Sequence, residues 1–434
     1  MDQLQRGAYY AFTTPTKIVE GRYINDDEDA LYVKLESGYN IGIDKDRIEE
    51  TQFLKSPPTT PDENKPGQNE DLPLVHFKHT GGTIASKVDY TTGGVSDAFS
   101  PAELLQRFPE LNDLVHVKSD LIANMSSENM RFHHFNKITD NVHKTIQEEQ
   151  PHAVIIGIGT DMMHYAAAAL SFILENPPCP IILVGAQRSS DRPSTDAANN
   201  VLAATHYALS EPPTNEVVVA MHGDIQRNEA YIHRGVNARK MHTSRRDAFK
   251  SINATPLATV SFEDFNVTHH ESPHQTTGTF TLHPIDETLN VGVIPIHPNM
   301  SAEDFTRHAQ KDAVILQGTG LGHAPIKSFD AATKTHGDIK DAIRLLTEKM
   351  PVIMTSQCIS GRVNLNVYGP GRELKRLGVL GHQHNETPET AYIKTAWLLS
   401  HYEKETMQEL YDANLRGEHT PNTSIQEYQN THDA

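Results

Sequence analysis

Short, uninterrupted apolar runs alternate with helical segments through most of the chain after residue 73. Residues 153–159 and 181–185 are runs of this kind, and an Ala-rich segment with helical character, 162–174, lies between them. Strands without an alternating polar face are buried on both faces, which is typical of a parallel sheet that helices cover on either side. The sequence therefore predicts an α/β fold built on parallel, doubly wound sheets.

The same alternation continues as far as residue 402 and predicts two such units. The remaining apolar strands are expected over 217–221, 291–296, 313–316 and 351–355. The last strong helix, 388–402, has Pro388 in a favourable first-turn position. We predict an N-terminal α/β domain over 74–285, a C-terminal α/β domain over 286–402, and a C-terminal helix (405–415) with a frayed polar tail over 403–434.

The first 55 residues have a different pattern. Short strand-like runs over 9–19, 31–35 and 39–43 are separated by acidic and Gly-containing turns, and Ser-Gly at 37–38 is a hairpin signal. We predict a small β-barrel-like domain of the SH3 or OB kind over 1–55, with a docking role. Residues 56–73 are rich in Pro, Asn, Glu, Gly and Asp and are expected to be an exposed linker.

Charge and cysteine content narrow the functional classes. The formal net charge of −18 argues against this chain alone binding a nucleic-acid phosphate backbone, so any such function would need a partner with a basic surface. The two cysteines, Cys179 and Cys358, have neither metal-ligand spacing nor a disulfide framework. With no signal-like N-terminus and no long apolar run, a cytoplasmic protein is expected.

A strand that runs into a Gly-Gly turn presents the first candidate for chemistry. Residues 75–79 precede Gly81 and Gly82, and Thr83 follows them directly. A turn of this type can display a nucleophilic hydroxyl at the carboxyl end of a strand, beside backbone N–H groups that stabilise an oxyanion. Tyr90, in a Gly-rich loop seven residues later, is a candidate helper.

Two further motifs supply groups that can move protons or bind substrate. Thr160 and Asp161 follow the apolar strand that ends near Gly159, and a lysine held close to them, Lys240, would complete a relay that activates a hydroxyl. Ser127 and Glu128 form the other motif; Glu128 and Asp161 can alternatively bind the α-amino group of an amino-acid substrate.

Each of these motifs also has a purely structural interpretation. Thr160 and Asp161 can cap the Ala-rich helix, Lys240 can belong to a solvated basic loop, and Tyr90 can be a packing residue. Ser127 and Glu128 can start a helix. His382-Gln383-His384 resembles a metal motif only weakly, since two histidines on one loop more often pack or face solvent, and we predict no metal site.

Taken in order, the four motifs resemble the asparaginase/glutaminase family of two-domain amidohydrolases over roughly residues 72–402. Thr80-Gly81-Gly82-Thr83-Ile84-Ala85-Ser86 matches the first threonine motif and Gly159-Thr160-Asp161 the second, while Lys240 falls at the catalytic lysine. Ser127-Glu128 stands where the family has a substrate-binding pair. The resemblance implies catalytic roles for Thr83, Thr160, Asp161 and Lys240, and helper or substrate-binding roles for Tyr90, Ser127 and Glu128.

Three features resemble the family members that serve as glutaminase subunits of archaeal tRNA-dependent amidotransferases. They are the N-terminal β domain with its linker, the run over 185–197, and the pair of segments Ser127-Glu128-Asn129-Met130 and Asn414-Leu415-Arg416-Gly417-Glu418. Two departures from the family pattern are Ile158 and Met162, which flank Gly-Thr-Asp in place of His and Thr, and His79, where a small residue is usual.

This resemblance implies hydrolysis of glutamine to supply ammonia through a tunnel to a partner protein. That partner would use ATP and magnesium to amidate glutamate carried on tRNA(Gln) and would provide most of the tRNA contacts. No cofactor is expected in this chain, and a homodimer within a two-plus-two assembly is implied. The alternatives are a free-standing cytosolic asparaginase and a scaffold that keeps the fold without catalysis.

Overall fold

The computed structural model describes residues 4–5, 7–26, 29–35, 40–56, 68–81, 87–88, 95–96, 101–188, 195–212, 214–271 and 278–420. Most of the predicted linker over 56–73 lies outside these residues. Among the described helices, none is long and apolar enough to cross a membrane.

The N-terminal region forms an antiparallel β-sheet, as predicted. Its strands are β1 (Tyr9–Thr13), β2 (Ile18–Asp26), β3 (Ala30–Lys34), β4 (Asn40–Asp44) and β5 (Glu50–Lys55). They pair in the order β4-β3-β2-β1-β5, and a short 3-10 helix, Lys45–Arg47, links the last two. Within the described residues, pairing joins the strands in this order, and they share a small apolar core of their own.

One strand boundary in this region differs from the prediction. The single run expected over residues 9–19 is divided between β1 and β2 by a turn in which the Thr14 N–H donates to the Lys17 carbonyl at 3.0 Å. Pro15 stands in that turn and has no N–H to donate to a sheet ladder, which explains the break. The predicted pairing of β3 with β4 is confirmed, with Lys34 opposite Asn40.

The central region contains most of the strands. They are β6 (Leu74–His79), β7 (Lys87–Val88), β8 (Val95–Ser96), β9 (His116–Leu121), β10 (Ala153–Gly157), β11 (Leu174–Glu175), β12 (Ile181–Val184), β13 (Val217–Asp224), β14 (Glu229–Arg234), β15 (Ala238–Lys240), β16 (Phe249–Ser251), β17 (Ala258–Ser261), β18 (Val267–His269) and β19 (Thr281–Leu282). The helices are α1 (Pro101–Arg107), α2 (Leu111–Leu114), α3 (Phe132–Glu149), α4 (Met163–Ile173) and α5 (Ala197–Ala208), with a 3-10 helix, Ser127–Asn129.

A large mixed sheet forms the centre of this region. In the described part of the chain its order is β18-β17-β14-β13-β12-β10-β6-β9. The half from β13 to β9 is parallel, as predicted, whereas β14, β17 and β18 join by antiparallel pairing. The predicted parallel sheet is therefore confirmed over five strands, and antiparallel strands extend it at one edge, because the short connection from β13 to β14 makes a hairpin instead of a crossover.

Helices cover both faces of this sheet, which explains why its central strands are apolar throughout. On one face lie α3 and α4; the Ala166–Ala169 stretch of α4 is fully buried, and its small side chains allow close packing. On the other face, α1 and α5 pack over residues such as Phe77 and Ile155. The parallel strands end at a common edge, where ligands bind in folds of this kind.

The C-terminal region is a smaller parallel sheet with its own core. Its strands, β20 (Val291–Pro295), β21 (Ala313–Gly318) and β22 (Val352–Ser356), pair in that order. The helices are α6 (Glu303–Thr306), α7 (His336–Lys349), α8 (Gly369–Arg376), α9 (Pro388–His401) and α10 (Lys404–Leu410). Helix α9 also contacts the larger region. The centroids of the Trp397 ring and of the Phe172 ring in α4 lie 5.7 Å apart.

Residues 411–420 are more ordered than the predicted frayed tail, whose remaining residues, 421–434, lie outside the described part of the chain. Helix α10 ends at Leu410, short of the predicted residue 415, and the following residues fold back as far as Thr420. The Arg416 side chain donates to the Ser171 carbonyl at 2.9 Å and to Glu175 at 2.9 Å. Glu418 accepts backbone N–H groups from this turn, so its carboxylate holds the segment in a non-helical shape.

A buried ion pair fixes this segment to α9. The Lys394 ammonium lies 2.6 Å from the Glu418 carboxylate, and both side chains are 0% exposed. Burial alone would raise the pKa of Glu418, but the charges of Lys394 and His419 reverse that effect and lower it. Removing one partner of such a pair leaves an uncompensated buried charge.

We expect Glu418→Gln to lower the free energy of unfolding by about 3–5 kcal/mol, because Lys394 would keep its charge without a counter-ion. Thermal and urea unfolding of the purified chain measure the loss. Glu409→Gln, at an exposed position of α10, is the matched control and should change stability by less than about 0.5 kcal/mol. Equal stability of the two variants would contradict the structural role of the pair.

Candidate active site

Backbone hydrogen bonds bring three strand ends together at one edge of the large sheet. Thr80, just after β6, donates its N–H to the Gly157 carbonyl at the end of β10, at 3.1 Å. The Met125 N–H, on the segment after β9, donates to the Thr80 carbonyl at 3.1 Å. The first and second threonine motifs and the segment leading to Ser127 therefore begin beside one another.

The turn after β6 requires glycine at its first position. Gly81 has φ +93°, and a Cβ atom there would lie 2.7 Å from the Met125 amide nitrogen. Both the left-handed conformation and the close backbone approach exclude a side chain. Thr83 and Tyr90 lie outside the described residues, so their assignments as nucleophile and helper remain predictions.

Thr160, Asp161 and Lys240 form one hydrogen-bonded group, although nearly eighty residues separate Lys240 from the other two. The Lys240 Nζ donates to Thr160 Oγ1 at 2.8 Å and to Asp161 Oδ1 at 2.7 Å. Only 10% of the Lys240 side chain is exposed, against 66% for Asp161. The ammonium thus reaches the site from a buried stem on β15, and the carboxylate faces the solvent side.

This geometry excludes the simpler interpretations of the three residues. The N-cap of α4 is Met162, which makes no side-chain cap hydrogen bond, so neither Thr160 nor Asp161 caps that helix. Lys240 lies in a strand, paired with the buried Phe249, and not in a solvated loop. The arrangement can transfer a proton between a threonine hydroxyl and a lysine amine while a carboxylate orients the amine.

Ser127 packs directly behind the second threonine motif. Its hydroxyl accepts the Met162 N–H at 3.3 Å, and a Cβ atom at Gly159 would lie 2.8 Å from the same hydroxyl. Ser127 is buried, whereas Glu128 is exposed. Met162 takes part in this hydrogen bond through its backbone N–H and not through its side chain. The departure from the family residue at position 162 therefore leaves the bond intact.

The loop after β12 closes another side of the site. A Cβ atom at Gly185 would lie 2.8 Å from the Thr160 methyl group. Asp196 accepts the N–H groups of Gln187 and Arg188 at 3.1 and 3.0 Å, which holds the two ends of this loop together. Residues 189–194 of the run singled out from the sequence lie outside the described residues.

An ion pair directly behind Lys240 had no signal in the sequence. Arg239 binds both carboxylate oxygens of Glu389, in the first turn of α9, at 2.9–3.1 Å. Burial would raise the pKa of Glu389, but hydrogen bonds and charge from Arg239 lower it. Successive strand residues point to opposite sides, so Arg239 faces α9 while Lys240 faces Thr160.

Two histidines near these strand ends have lowered pKa values. His79, at the end of β6, is buried, and burial lowers its pKa to about 4. His164, in α4, is half-buried, and burial lowers its pKa to about 4 as well. Compared with the small residue of the family pattern, His79 therefore adds volume and no charge.

Among the described residues, one group has the composition and spacing to hold a metal ion: His384, Glu386 and His419. None of them belongs to the motifs that gather around Lys240. They lie in the loop before α9 and in the C-terminal segment.

Comparisons with known proteins agree with this architecture. Residues 74–273 match the family model for the asparaginase N-terminal domain, and residues 290–411 match that for the glutaminase/asparaginase C-terminal domain. The fold is similar to the thermostable L-asparaginase from Thermococcus kodakarensis, with a TM-score of 0.70 and 27% identity over 80% of this chain and 100% of that one. L-asparaginase I from Vibrio cholerae gives a TM-score of 0.67 and 27% identity, over 80% and 99%.

Longer matches occur among curated sequences. The D subunit of glutamyl-tRNA(Gln) amidotransferase from Pyrococcus abyssi is 40% identical, covering 92% of this chain and 90% of its own. The protein of the same name from Methanococcus maripaludis is 39% identical, covering 90% and 92%. The chain therefore belongs to the asparaginase family of amidohydrolases and, within that family, to the group of glutamyl-tRNA(Gln) amidotransferase D subunits.

Proposed function

We propose that this chain is the glutaminase component of a tRNA-dependent amidotransferase, hydrolysing glutamine to supply ammonia for the conversion of Glu-tRNA(Gln) to Gln-tRNA(Gln). The observation that carries the chemistry is the hydrogen-bonded group of Thr160, Asp161 and Lys240 at the edge where the parallel strands end. The names of relatives that match over about nine-tenths of the chain support the choice of reaction.

In the proposed reaction, the Thr83 hydroxyl oxygen attacks the side-chain amide carbon of glutamine. Backbone N–H groups of the Gly-rich turn stabilise the oxyanion of the tetrahedral intermediate. When that intermediate collapses, the C–N bond breaks and ammonia leaves with the proton it needs, while the acyl group remains on Thr83 as an ester. Water then attacks the ester, releases glutamate, and restores the Thr83 hydroxyl.

Thr160, Asp161 and Lys240 move the protons in this scheme. Lys240, in its amine form, takes a proton through the Thr160 hydroxyl and returns it to the leaving group, and Asp161 orients the Nζ atom. Ser127 and Glu128 border the site where the α-amino and carboxylate groups of glutamine bind, with Tyr90 as the helper of Thr83. No cofactor in this chain takes part; ATP and magnesium belong to the partner, which is the E subunit of the amidotransferase.

The division of labour between two proteins also fits the charge of the chain. A net charge of −18 disfavours strong tRNA binding by this chain alone, so the partner is expected to provide most of the tRNA surface. The N-terminal β-sheet then serves docking, and two copies of each protein form the assembly. The resulting localisation is the cytoplasm, where protein synthesis occurs.

A free-standing L-asparaginase is the second candidate, favoured by the likeness to solved L-asparaginases. Asparagine and glutamine differ by one methylene, which a pocket distinguishes by only about 1–3 kcal/mol. Dependence on a partner, and not substrate preference alone, therefore separates the two functions.

Ammonia release by the purified chain tests the choice between these functions. We expect weak hydrolysis of glutamine by the chain alone and a rise when the partner and Glu-tRNA(Gln) are added. Uncharged tRNA(Gln) with the same partner is the control for non-specific stimulation. Rapid hydrolysis of asparagine that no partner changes would instead establish the asparaginase function.

We expect Lys240→Met to lower the rate of glutamine hydrolysis by about 100- to 10,000-fold, the usual range for loss of a positioned proton-transfer group. The fold should survive, because the carboxylate partner Asp161 is largely exposed and can be solvated. Steady-state ammonia assays and circular dichroism measure the two properties. Lys144→Met, at an exposed position of α3, is the control; comparable rates in both variants would exclude a proton-transfer role for Lys240.

Thr83→Val removes the proposed nucleophilic oxygen with little change in volume. We expect glutamine hydrolysis to fall to background and no acyl-enzyme to be trapped by mass spectrometry. Thr306→Val, at an exposed position in α6, should keep full activity. Persistent turnover by Thr83→Val, with loss of turnover in Thr160→Val, would transfer the role of nucleophile to Thr160.

A further inference from the structure

The loop before α9 and the C-terminal segment meet in a buried cluster of histidine and glutamate side chains. His384 and Glu386 come from that loop, and His419 comes from the folded-back segment; we call these three residues the His-Glu-His cluster. Glu386 is 1% exposed, His384 is 7% exposed and His419 is 13% exposed. The cluster is separate in sequence from every motif used in the proposed reaction.

The potential ligand atoms converge on a common point. His384 Nδ1 lies 3.2 Å from Glu386 Oε1, and His419 Nδ1 lies 3.0 Å from Glu386 Oε2. One atom from each residue can be chosen so that all three lie within 4.8 Å of one another. Bonds of about 2.0–2.1 Å at a tetrahedral zinc ion place neighbouring ligand atoms about 3.4 Å apart, so small side-chain rotations suffice.

Two of these atoms have no well-aligned hydrogen-bond partner among the described residues. Glu386 Oε2 and His419 Nδ1 face each other, yet within the described residues neither makes a hydrogen bond of acceptable geometry. A buried carboxylate oxygen and a buried ring nitrogen left in this state are costly. A metal ion between them would use both lone pairs.

The surrounding groups orient the ligands as outer partners of metal sites do. His384 Nε2 lies 3.0 Å from Asp412 Oδ1, which would fix the ring with Nδ1 toward the metal. The Tyr411 hydroxyl donates to Glu386 Oε1 at 2.9 Å, and its ring stacks on His384 with centroids 5.1 Å apart. Carboxylate–histidine pairs of this kind are the usual support for a zinc-binding imidazole.

The local charge also favours a divalent cation. Three carboxylates, those of Glu386, Asp412 and Glu418, belong to this network. The Lys394 ammonium lies 2.6 Å from the Glu418 carboxylate. Once both histidines have lost their Nδ1 protons to become ligands, these groups sum to −2, which a dication neutralises. Lys394 Nζ is also 3.0 Å from His419 Nε2 and donates to it. Because a metal on Nδ1 leaves the ring proton on Nε2, metal binding requires Lys394 to release this nitrogen while it keeps its ion pair with Glu418.

The neighbouring His382 has a different role, although it belongs to the same His-Gln-His run. Its Nδ1 accepts the Leu365 N–H at 3.3 Å, and its Nε2 lies 2.8 Å from the Asn366 amide. Both ring nitrogens of His382 thus have hydrogen-bond partners within the same region of the chain. His384 differs because folding adds Glu386 and His419, which the spacing within the run does not reveal.

We propose that His384, Glu386 and His419 form a structural site for a divalent transition-metal ion of the zinc type, which fastens the C-terminal segment to the loop before α9. Two imidazole nitrogens and one carboxylate are a ligand set that zinc uses in proteins, and one bound water would complete the tetrahedron. In binding, the ion replaces the protons on the two Nδ1 atoms, and these protons pass to solvent.

The test uses the full chain, stripped of metal by a chelator and then titrated with Co²⁺ and with Zn²⁺. We expect one equivalent of Co²⁺ per chain to give the visible absorption of a tetrahedral site, Zn²⁺ to displace it, and the melting temperature to rise. Absence of a saturable tetrahedral spectrum in the wild-type chain would overturn the proposal without the need for any variant.

Variants then locate the ion. His419→Asn should weaken Co²⁺ binding by at least about 100-fold, and Asp412→Asn, which removes only an outer partner, by about 10- to 100-fold. The Asp412 side chain is 74% exposed, so this variant should fold normally. His382→Gln is the matched control and should bind as the wild type does. An unchanged spectrum in His419→Asn and Asp412→Asn would refute the assignment, independently of any glutaminase assay.

Discussion

The close approach of three strand ends at one edge of the large sheet is the constraint on which the candidate site depends. Gly81 lies against the Met125 backbone and Gly159 lies against Ser127, and neither position has space for a Cβ atom. Parallel pairing of β9, β6 and β10 produces this crowding, since it brings consecutive carboxyl ends to the same place. The residues proposed to react are therefore placed by the backbone of buried strands, which is more rigid than a surface loop.

Much of this organisation was predictable because it follows from local patterns. Apolar runs identified the parallel strands, and the residues just after them, Thr160 and Asp161, had to share an edge with Lys240 if the resemblance held. Where local chemistry overrode a pattern, the prediction was wrong: Pro15 divides the first strand, and the predicted helix stops at Leu410, before a turn in which the Glu418 carboxylate accepts the N–H groups of Leu415 and Arg416. The spacing of apolar residues does not reveal that a polar side chain accepts hydrogen bonds from nearby backbone N–H groups.

Contacts between residues far apart in the sequence could not be predicted, for a different reason. Arg239 with Glu389, and Glu386 with His419, join residues whose own neighbourhoods carry no signal, and each pair is decided by the packing of whole elements. These pairs also carry a desolvation penalty that hydrophobic residues would avoid. Retaining them makes sense if they select one arrangement of α9 and the C-terminal segment over the many that an apolar contact would tolerate.

Helix α9 connects these features. Near its start Glu389 binds the arginine beside Lys240, near its middle Lys394 binds the C-terminal segment, and further on Trp397 packs on α4 and donates to the His283 carbonyl at 3.1 Å. A hinge that swung the smaller sheet away from the larger one would expose several charges and a tryptophan at once. Separating the two sheets would therefore cost the free energy of that whole contact, and an inhibitor that wedged them apart would have to supply it.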